Sequence, residues 1–100
     1  MRESKFQSEL IKELKVRFEG CIVLKNDSGY LQGVPDLLVL YGNRWAALEC
    51  KASHNSARQP NQDYWVGAMD TMSFAAYIHP TNKDDVLNEL TDHFRRNGRR

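Results

Sequence analysis

The sequence predicts an α/β fold in which a mixed β-sheet is flanked by helices, with the order α-β-β-β-α-β-α along the chain. Apolar residues recur at helical spacing in three stretches, and short continuous apolar runs lie between them. A Gly-Asn pair joins two of these runs as a hairpin, and a later strand-helix-strand succession favours parallel pairing. The chain has 100 residues, which suffices for one domain over residues 1–100 with one core.

The first helix is predicted over residues 5–18. Ser4 and Gln7 are spaced as a capping box at its start. Its apolar face is formed by four residues at helical spacing: Phe6, Leu10, Leu14 and Phe18. A short apolar strand over residues 21–25 follows, and a polar turn separates it from the hairpin.

Residues 36–40 and 44–51 are both apolar and strand-like, so they are predicted to pair as the two arms of the hairpin. Gly42 and Asn43 between them are typical of a type II′ turn. The residues that flank this turn therefore face each other. Each further pair outward from the turn lies one position earlier on the first strand and one position later on the second.

By this count, Asp36 lies directly opposite Glu49. Because side chains alternate between the two faces of a strand, Lys51 shares the face of Glu49. Directly opposed residues have Cβ atoms roughly 4.5–5.5 Å apart, and like charges placed there destabilise the pairing. A divalent cation is the usual compensation, and Mg²⁺ is typically bound by one or two carboxylates with waters and phosphate oxygens.

The second half of the chain supplies the last three elements. Pro60 suits the first turn of a second helix, which we predict to end near residue 72 after a polar loop. Residues 74–79 are predicted to form the final strand, and residues 82–96 the third helix. The apolar stripe of the second helix is Tyr64, Trp65, Ala68, Met69 and Met72, which indicates core or a dimer face. The inward side of the third helix is Val86, Leu87, Leu90 and Phe94.

Pro35-Asp36, twelve intervening residues and Glu49-Cys50-Lys51 resemble the signature of the PD-(D/E)XK nucleases. The small VRR-NUC and Holliday-junction-resolvase-like members are the most similar in pattern. The resemblance implies a restriction-endonuclease-like domain and Mg²⁺- or Mn²⁺-dependent hydrolysis of DNA, duplex or branched. It also implies that the two acids and the Cys50 main-chain carbonyl hold the metal. A phage or mobile-element protein in the host cytoplasm would fit this resemblance.

Two further residue types belong to the pattern that the chain resembles. A helical acid would reach the metal or its waters, and Glu9 is placed best for this, although Glu9 and Glu13 can also pair with basic residues of the same helix. A glutamine after the lysine would orient Lys51, a water or a phosphate. Gln62 is our first choice and Gln59 the competitor.

The net charge is only +1, so the distribution of charge is more informative than its sum. Basic residues are clustered in two segments, Lys5 to Arg17 and Arg95 to Arg100, where they either contact phosphates or form solvated surface. The residues that we predict to contact nucleic acid are Lys5, Lys12, Arg44, His54 and Arg58.

The two cysteines, Cys21 and Cys50, lie in apolar strand-like runs and are expected to be reduced. The chain carries no evident secretory signal and no apolar stretch long enough for a membrane span. We therefore expect a cytoplasmic protein.

Three functions compete at this point. The first is a metal-dependent endonuclease, and since one chain has room for one site, cutting two strands would need a homodimer or a higher oligomer. The second is a non-catalytic nucleic-acid-binding module on the same fold, with the acids serving structure. The third is an interaction protein that docks a partner through the Met-rich and aromatic second helix.

Overall fold

The computed structural model describes residues 1–27 and 29–96. Its seven elements are α1 (Glu3–Arg17), β1 (Ile22–Lys25), β2 (Leu37–Tyr41), β3 (Arg44–Cys50), α2 (Pro60–Met72), β4 (Ala75–Ile78) and α3 (Lys83–Arg95). The predicted order of helices and strands is confirmed, and each boundary lies within two residues of its predicted position. The α/β fold class is likewise confirmed.

The four strands form one mixed sheet in the order β1-β2-β3-β4. The pairs β1/β2 and β2/β3 are antiparallel, whereas β3 and β4 are parallel. The parallel pair is the one that α2 connects, as the strand-helix-strand succession predicts. At the hairpin turn Tyr41 pairs with Arg44, and Gly42 has a φ of 62°, which a type II′ turn requires at its first central position.

The two faces of the sheet are covered differently. Helices α1 and α3 pack on one face and bury most of the core there, including Leu10, Leu37, Leu48, Ile78 and Leu87, none more than 1% exposed. Helix α2 covers only the β3/β4 half of the other face and has no fully buried residue. The β1/β2 half of that face stays open, and its apolar side chains are partly exposed.

The stripe predicted for α2 is therefore only partly core. Tyr64 and Met72 are 66% and 75% exposed, while Met69 and Met72 border an open apolar groove with Leu38 and Trp45.

The predicted capping box at the start of α1 is wrong. The helix begins at Glu3, and its N-cap, Arg2, makes no side-chain capping bond. The Gln7 side chain instead acts on the Cys50 thiol, whose raised pKa it partly offsets. A capping box does occur at the start of α2. There the Gln59 side chain accepts a hydrogen bond from the Gln62 backbone N–H, and the Gln62 side chain accepts one from the Gln59 backbone N–H.

Both cysteines are free thiols, as predicted, with Cys50 fully buried and Cys21 partly so. Burial raises the pKa of the Cys50 thiol to about 12, so that thiol stays protonated at neutral pH. Among the described residues, no helix combines the length and the hydropathy that crossing a bilayer requires.

Candidate functional site

The two predicted acids lie together where the hairpin opens. The last regular pair of the β2/β3 ladder joins Leu37 and Leu48. Asp36 and Glu49 are the next residues outward, one on each strand. Hence the register predicted from the two-residue turn is confirmed, although β2 itself begins one residue after Asp36.

Asp36 is anchored by main-chain bonds on both sides. Its own carbonyl accepts a hydrogen bond from the Asn26 backbone N–H at 2.8 Å, and the Asn26 side chain donates to the Pro35 carbonyl at 2.7 Å. Its carboxylate Oδ2 accepts from the Cys50 backbone N–H at 2.8 Å. Asn26 was not predicted as a site residue, although its position at the end of β1 beside the Pro-Asp bend is readable from the sequence.

Glu49, Gln62 and Lys51 form a continuous hydrogen-bonded set. Gln62 Nε2 donates to Glu49 Oε2 at 3.1 Å, while Gln62 Oε1 accepts from Lys51 Nζ at 2.8 Å. Lys51 Nζ also donates to the Ala57 carbonyl at 2.9 Å and lies 3.9 Å from Glu49 Oε2. Gln62, rather than Gln59, is therefore the glutamine that meets the lysine, and Gln59 serves the start of α2.

Both the acid and the amine of this set are withdrawn from solvent. Glu49 is 4% exposed and Lys51 is 8% exposed. Burial, then the negative charge of Asp36, raises the pKa of Glu49 to about 7, and the Lys51 charge only partly offsets this. Burial also raises the pKa of Asp36. The site thus places two carboxylates close together without enough positive charge to neutralise both. Such a site attracts a cation.

This electrostatic conflict predicts a pH-dependent stability in the absence of metal. The unfolded Glu49 ionises near pH 4.5 and the folded one near 7, so between these values the folded state holds a proton that the unfolded state has released. The stabilising effect of this proton on the folded state is complete below pH 4.5 and is lost as the pH rises through 7. We expect the free energy of unfolding to fall across this window by on the order of 1–3 kcal/mol relative to Glu49→Gln.

The measurement is urea unfolding in EDTA at pH 5, 6, 7 and 8 for both proteins. Comparison with the variant is needed because burial lowers the pKa of His79 and His93, which acts in the opposite direction below pH 6.5. Parallel pH profiles for the two proteins would show that Glu49 ionises normally.

The structure does not bring Glu9, the predicted helical acid, to the acid pair. Glu9 is exposed, and its charge acts on Lys83 of α3, to which its neighbour Glu13 is salt-bridged at 2.8 Å. Glu3 is the acid of α1 that the charge of Asp36 acts on: burial first, and then Asp36, raise the pKa of Glu3. At 3.6 residues per turn, Glu9 points roughly 120° away from the side of α1 that carries Glu3.

The sequence also contains a signal that points to Glu3. Glu3 precedes Gln7, Leu10 and Leu14 at spacings of four, seven and eleven residues, so the four share one side of α1. Leu10 and Leu14 are buried, and Gln7 reaches Cys50 at the end of β3.

Two of the basic residues predicted to contact nucleic acid follow the site in the loop after β3. The ring of His54 lies 6.1 Å from that of His79, which directly follows β4. The Arg58 guanidinium lies 4.2 Å above the ring centroid of Tyr77 and is paired with Asp63 at 2.9 Å. His54 and Arg58 are therefore brought to the end of the sheet that carries the acids.

Tyr77 is a residue that sequence reasoning missed. It is the Cα partner of Glu49 in the parallel β3/β4 pair, and its hydroxyl donates to Asp63. Burial and the hydrogen bond to Asp63 raise the pKa of Tyr77 to about 12, so it remains a neutral donor. No sequence signal identifies it, because the register of a parallel pair is not set by a short turn.

The remaining predicted contacts are not gathered at the site. Arg44 starts β3, five residues and about 16 Å of strand from Glu49, and its Nε donates to the Arg96 carbonyl at 2.9 Å. Lys5 and Lys12 are exposed on α1, and neither makes a hydrogen bond or ion pair with another described side chain. The positions of Arg44, Lys5 and Lys12 therefore do not support their predicted contact with nucleic acid at the site.

The two basic clusters meet at the far end of the molecule. Arg17 and Arg95 line the same small cavity as Tyr41, which sits at the hairpin turn. The turn and the acid pair are at opposite ends of the β2/β3 ladder, so these arginines lie away from the acids. Arg99 and Arg100 fall outside the described residues.

A polar cleft adjoins the acid pair on the side of Gln62. It has a volume of about 370 Å³ and is lined by Gln32, Gly33, Gln59, Asn61 and Gln62. All the side chains that line it are carboxamides, and none is charged.

Gly33 allows the loop before β2 to approach α2 closely. Its φ is +88°, and a Cβ built there would lie 2.6 Å from the Asn61 side chain and 2.9 Å from the Asn61 backbone. Gly33→Ala is therefore expected to lower the melting temperature more than Gly20→Ala, where φ is +90° but nothing lies within 4 Å. The backbone strain of an alanine at positive φ costs about 1 kcal/mol, and Gly20→Ala measures this cost alone. The additional loss of stability in Gly33→Ala measures the steric clash with Asn61. Equal losses in thermal denaturation would show that the loop does not press on α2.

The donor set around the acids suits a hard cation. Asp36 and Glu49 offer carboxylate oxygens, and the Cys50 carbonyl lies on the strand between the Glu49 and Lys51 side chains. In the part of the chain that the structure describes, no three His, Cys, Asp or Glu side chains gather as a metal-binding group. A metal bound here would therefore complete its shell with main-chain, water or substrate oxygens, which is the habit of Mg²⁺.

Comparisons of the chain with protein-family models, with curated proteins and with solved structures give no match. Function is therefore inferred from the residues described above.

Proposed function

We propose that the protein is a Mg²⁺- or Mn²⁺-dependent endonuclease that hydrolyses phosphodiester bonds of DNA, of the PD-(D/E)XK type that its residues resemble. The observation that carries this proposal is the buried Glu49-Gln62-Lys51 set beside Asp36, with a Glu49 pKa raised to about 7. A fold gains no stability from that conflict, whereas a bound cation would relieve it.

Asp36, Glu49 and the Cys50 carbonyl are the groups that would hold the metal. When bound, the ion would supply a Lewis acid that polarises the scissile phosphate and lowers the pKa of the attacking water. Burial and the charge of Asp36 are the main causes of the raised pKa of Glu49, and the charge of Glu3 adds to them, so Glu3 contributes negative charge at this site.

Lys51 would act on the negative charge that grows on the phosphate oxygens during the reaction. Its ammonium is held by Ala57 and Gln62 before any substrate arrives, so little reorganisation is needed when that charge develops. Gln62 is a positioning residue, because it bridges the amine and the Glu49 carboxylate.

Arg58, stacked on Tyr77 beside this set, is placed to contact a neighbouring phosphate.

The deciding experiment is incubation of the protein with single-stranded, duplex and four-way-junction DNA in Mg²⁺, Mn²⁺ or EDTA. Cleavage that needs the metal is expected, and the three DNA forms report which substrate shape is preferred. In parallel, Mg²⁺ should raise the melting temperature more at pH 8 than at pH 5, because the acids bind it only when ionised. Absence of both effects would refute the proposal.

The competing function is a nucleic-acid-binding module without catalysis. The observation that favours it is the lack of a three-residue metal group in the described chain. Binding of DNA in EDTA, with no cleavage in either metal, would support this alternative. If neither binding nor cleavage occurs, the exposed apolar groove beside Met69 makes an interaction protein the better hypothesis.

We also propose that the active form is a homodimer or a larger homo-oligomer. The described part of the chain offers one acid pair, and two strands of a duplex or a junction require two cuts. Sedimentation of the protein alone and with uncleavable junction DNA measures the number of copies directly.

A further inference from the structure

We propose that the cleft lined by Gln32, Gln59, Asn61 and Gln62 recognises the edge of an adenine base next to the scissile phosphate. This inference rests on the proposed nuclease function and adds a determinant of sequence preference to it. The cleft, of about 370 Å³, falls within the usual size range of ligand sites.

The side chains of the cleft have hydrogen-bonding capacity to spare. In the described part of the chain, the amides of Gln32 and Asn61 make no hydrogen bond, and both residues are exposed. The Gln59 oxygen is used to cap α2, which leaves its NH₂ group available. The cleft therefore presents both donors and acceptors in one place.

The chemistry of the lining selects the class of ligand. The residues that line this cleft carry no charge, so a phosphate would form no ion pair with them. Carboxamides match the edge of a base, and the pairing of Asn or Gln with adenine N6 and N7 uses one donor and one acceptor. Adenine is thus the base that these side chains fit best.

The cleft is held in place by the fold. Gly33 approaches the Asn61 backbone so closely that a Cβ would lie 2.9 Å from it, and this contact keeps Gln32 beside the first turn of α2. Asn26 restrains the same loop from its other side through the Pro35 carbonyl. A base in the cleft would therefore meet a preformed surface.

Gln62 connects the cleft to the reacting groups. It lines the cleft and also contacts Lys51 at 2.8 Å and Glu49 at 3.1 Å. A base bound there belongs to a nucleotide adjacent to the phosphate that Lys51 meets. The position that is read should accordingly lie within one or two nucleotides of the cut.

The test is cleavage of DNA whose positions around the cut are randomised, in the substrate shape that the wild-type protein cuts. Sequencing of the products from wild type, Gln32→Ala and Asn61→Ala gives the base preference at each position. The matched control is Asn88→Ala, an exposed amide on α3 that contacts Arg17 at the other end of the molecule. Melting temperatures of all four proteins verify that they are folded.

Wild type and Asn88→Ala are expected to favour adenine at one position beside the cut. Gln32→Ala and Asn61→Ala should each reduce that preference by about tenfold. Cleavage by wild type without any base preference, or an unchanged preference in both variants, would overturn the inference and leave the nuclease function standing. A preference for another base would overturn the choice of adenine. Failure of wild type to cleave any DNA with Mg²⁺ or Mn²⁺ would overturn both.

Discussion

Asp36→Asn is expected to abolish metal-dependent cleavage while leaving the protein as stable as wild type or more so. The activity should fall by at least about a hundredfold, because a carboxylate ligand is replaced by a neutral amide. The stability should be kept because the introduced carboxamide retains an oxygen that can accept from the Cys50 N–H. The negative charge that raises the pKa of Glu49 is removed at the same time.

Cleavage rates in Mg²⁺ and thermal denaturation in EDTA measure the two effects. Asp85→Asn is the matched control, since Asp85 is exposed in the first turn of α3 and contacts none of the site residues. It should change neither quantity appreciably. A fully active Asp36→Asn protein would remove the acid pair from the mechanism, and a strongly destabilised one would give Asp36 a structural role.

Lys51→Met is expected to lose activity to a similar degree but, unlike Asp36→Asn, to be destabilised. A buried Glu49 would remain without the positive charge 3.9 Å away, and the Gln62 and Ala57 oxygens would lose their donor. Removing one partner of a buried ion pair costs about 3–5 kcal/mol. Removing one group that stabilises transition-state charge costs about a hundredfold or more in rate.

The double variant Lys51→Met with Glu49→Gln separates the two effects. It should recover much of the lost stability, because no buried charge is left unpaired, and it should remain inactive. Urea unfolding of the four proteins of this cycle measures the coupling energy between the two residues. If the double variant is as unstable as Lys51→Met alone, the stabilising role of Lys51 does not depend on Glu49.

Local interactions explain why so much of the fold could be predicted. The period of the apolar residues identifies helices and strands because each element buries one side. The two-residue turn at Gly42-Asn43 sets the register of its hairpin, so counting along the sequence places Asp36 opposite Glu49. The face of Lys51 follows from the alternation of side chains along a strand.

The sequence left choices open, or misdirected them, where separate elements meet. Glu3 and Glu9 are both acids of α1, and the rotation of that helix about its axis is decided by which residues the sheet buries. Gln59 and Gln62 are both near the start of α2, and capping by Gln59 leaves Gln62 to reach Lys51. Neither choice is contained in the residue types alone.

The sequence by itself determined the order of the elements and the juxtaposition of two acids and an amine on one hairpin, because these depend on contacts between residues near in the chain. The tertiary structure alone decided which of the two glutamines contacts Lys51, and that Tyr77 pairs with Glu49. It also decided that the arginine clusters lie away from the acids, while the amides of a loop and α2 form a cleft beside them. The physical reason is that parallel register and loop docking are set by packing between distant segments, for which no local pattern exists.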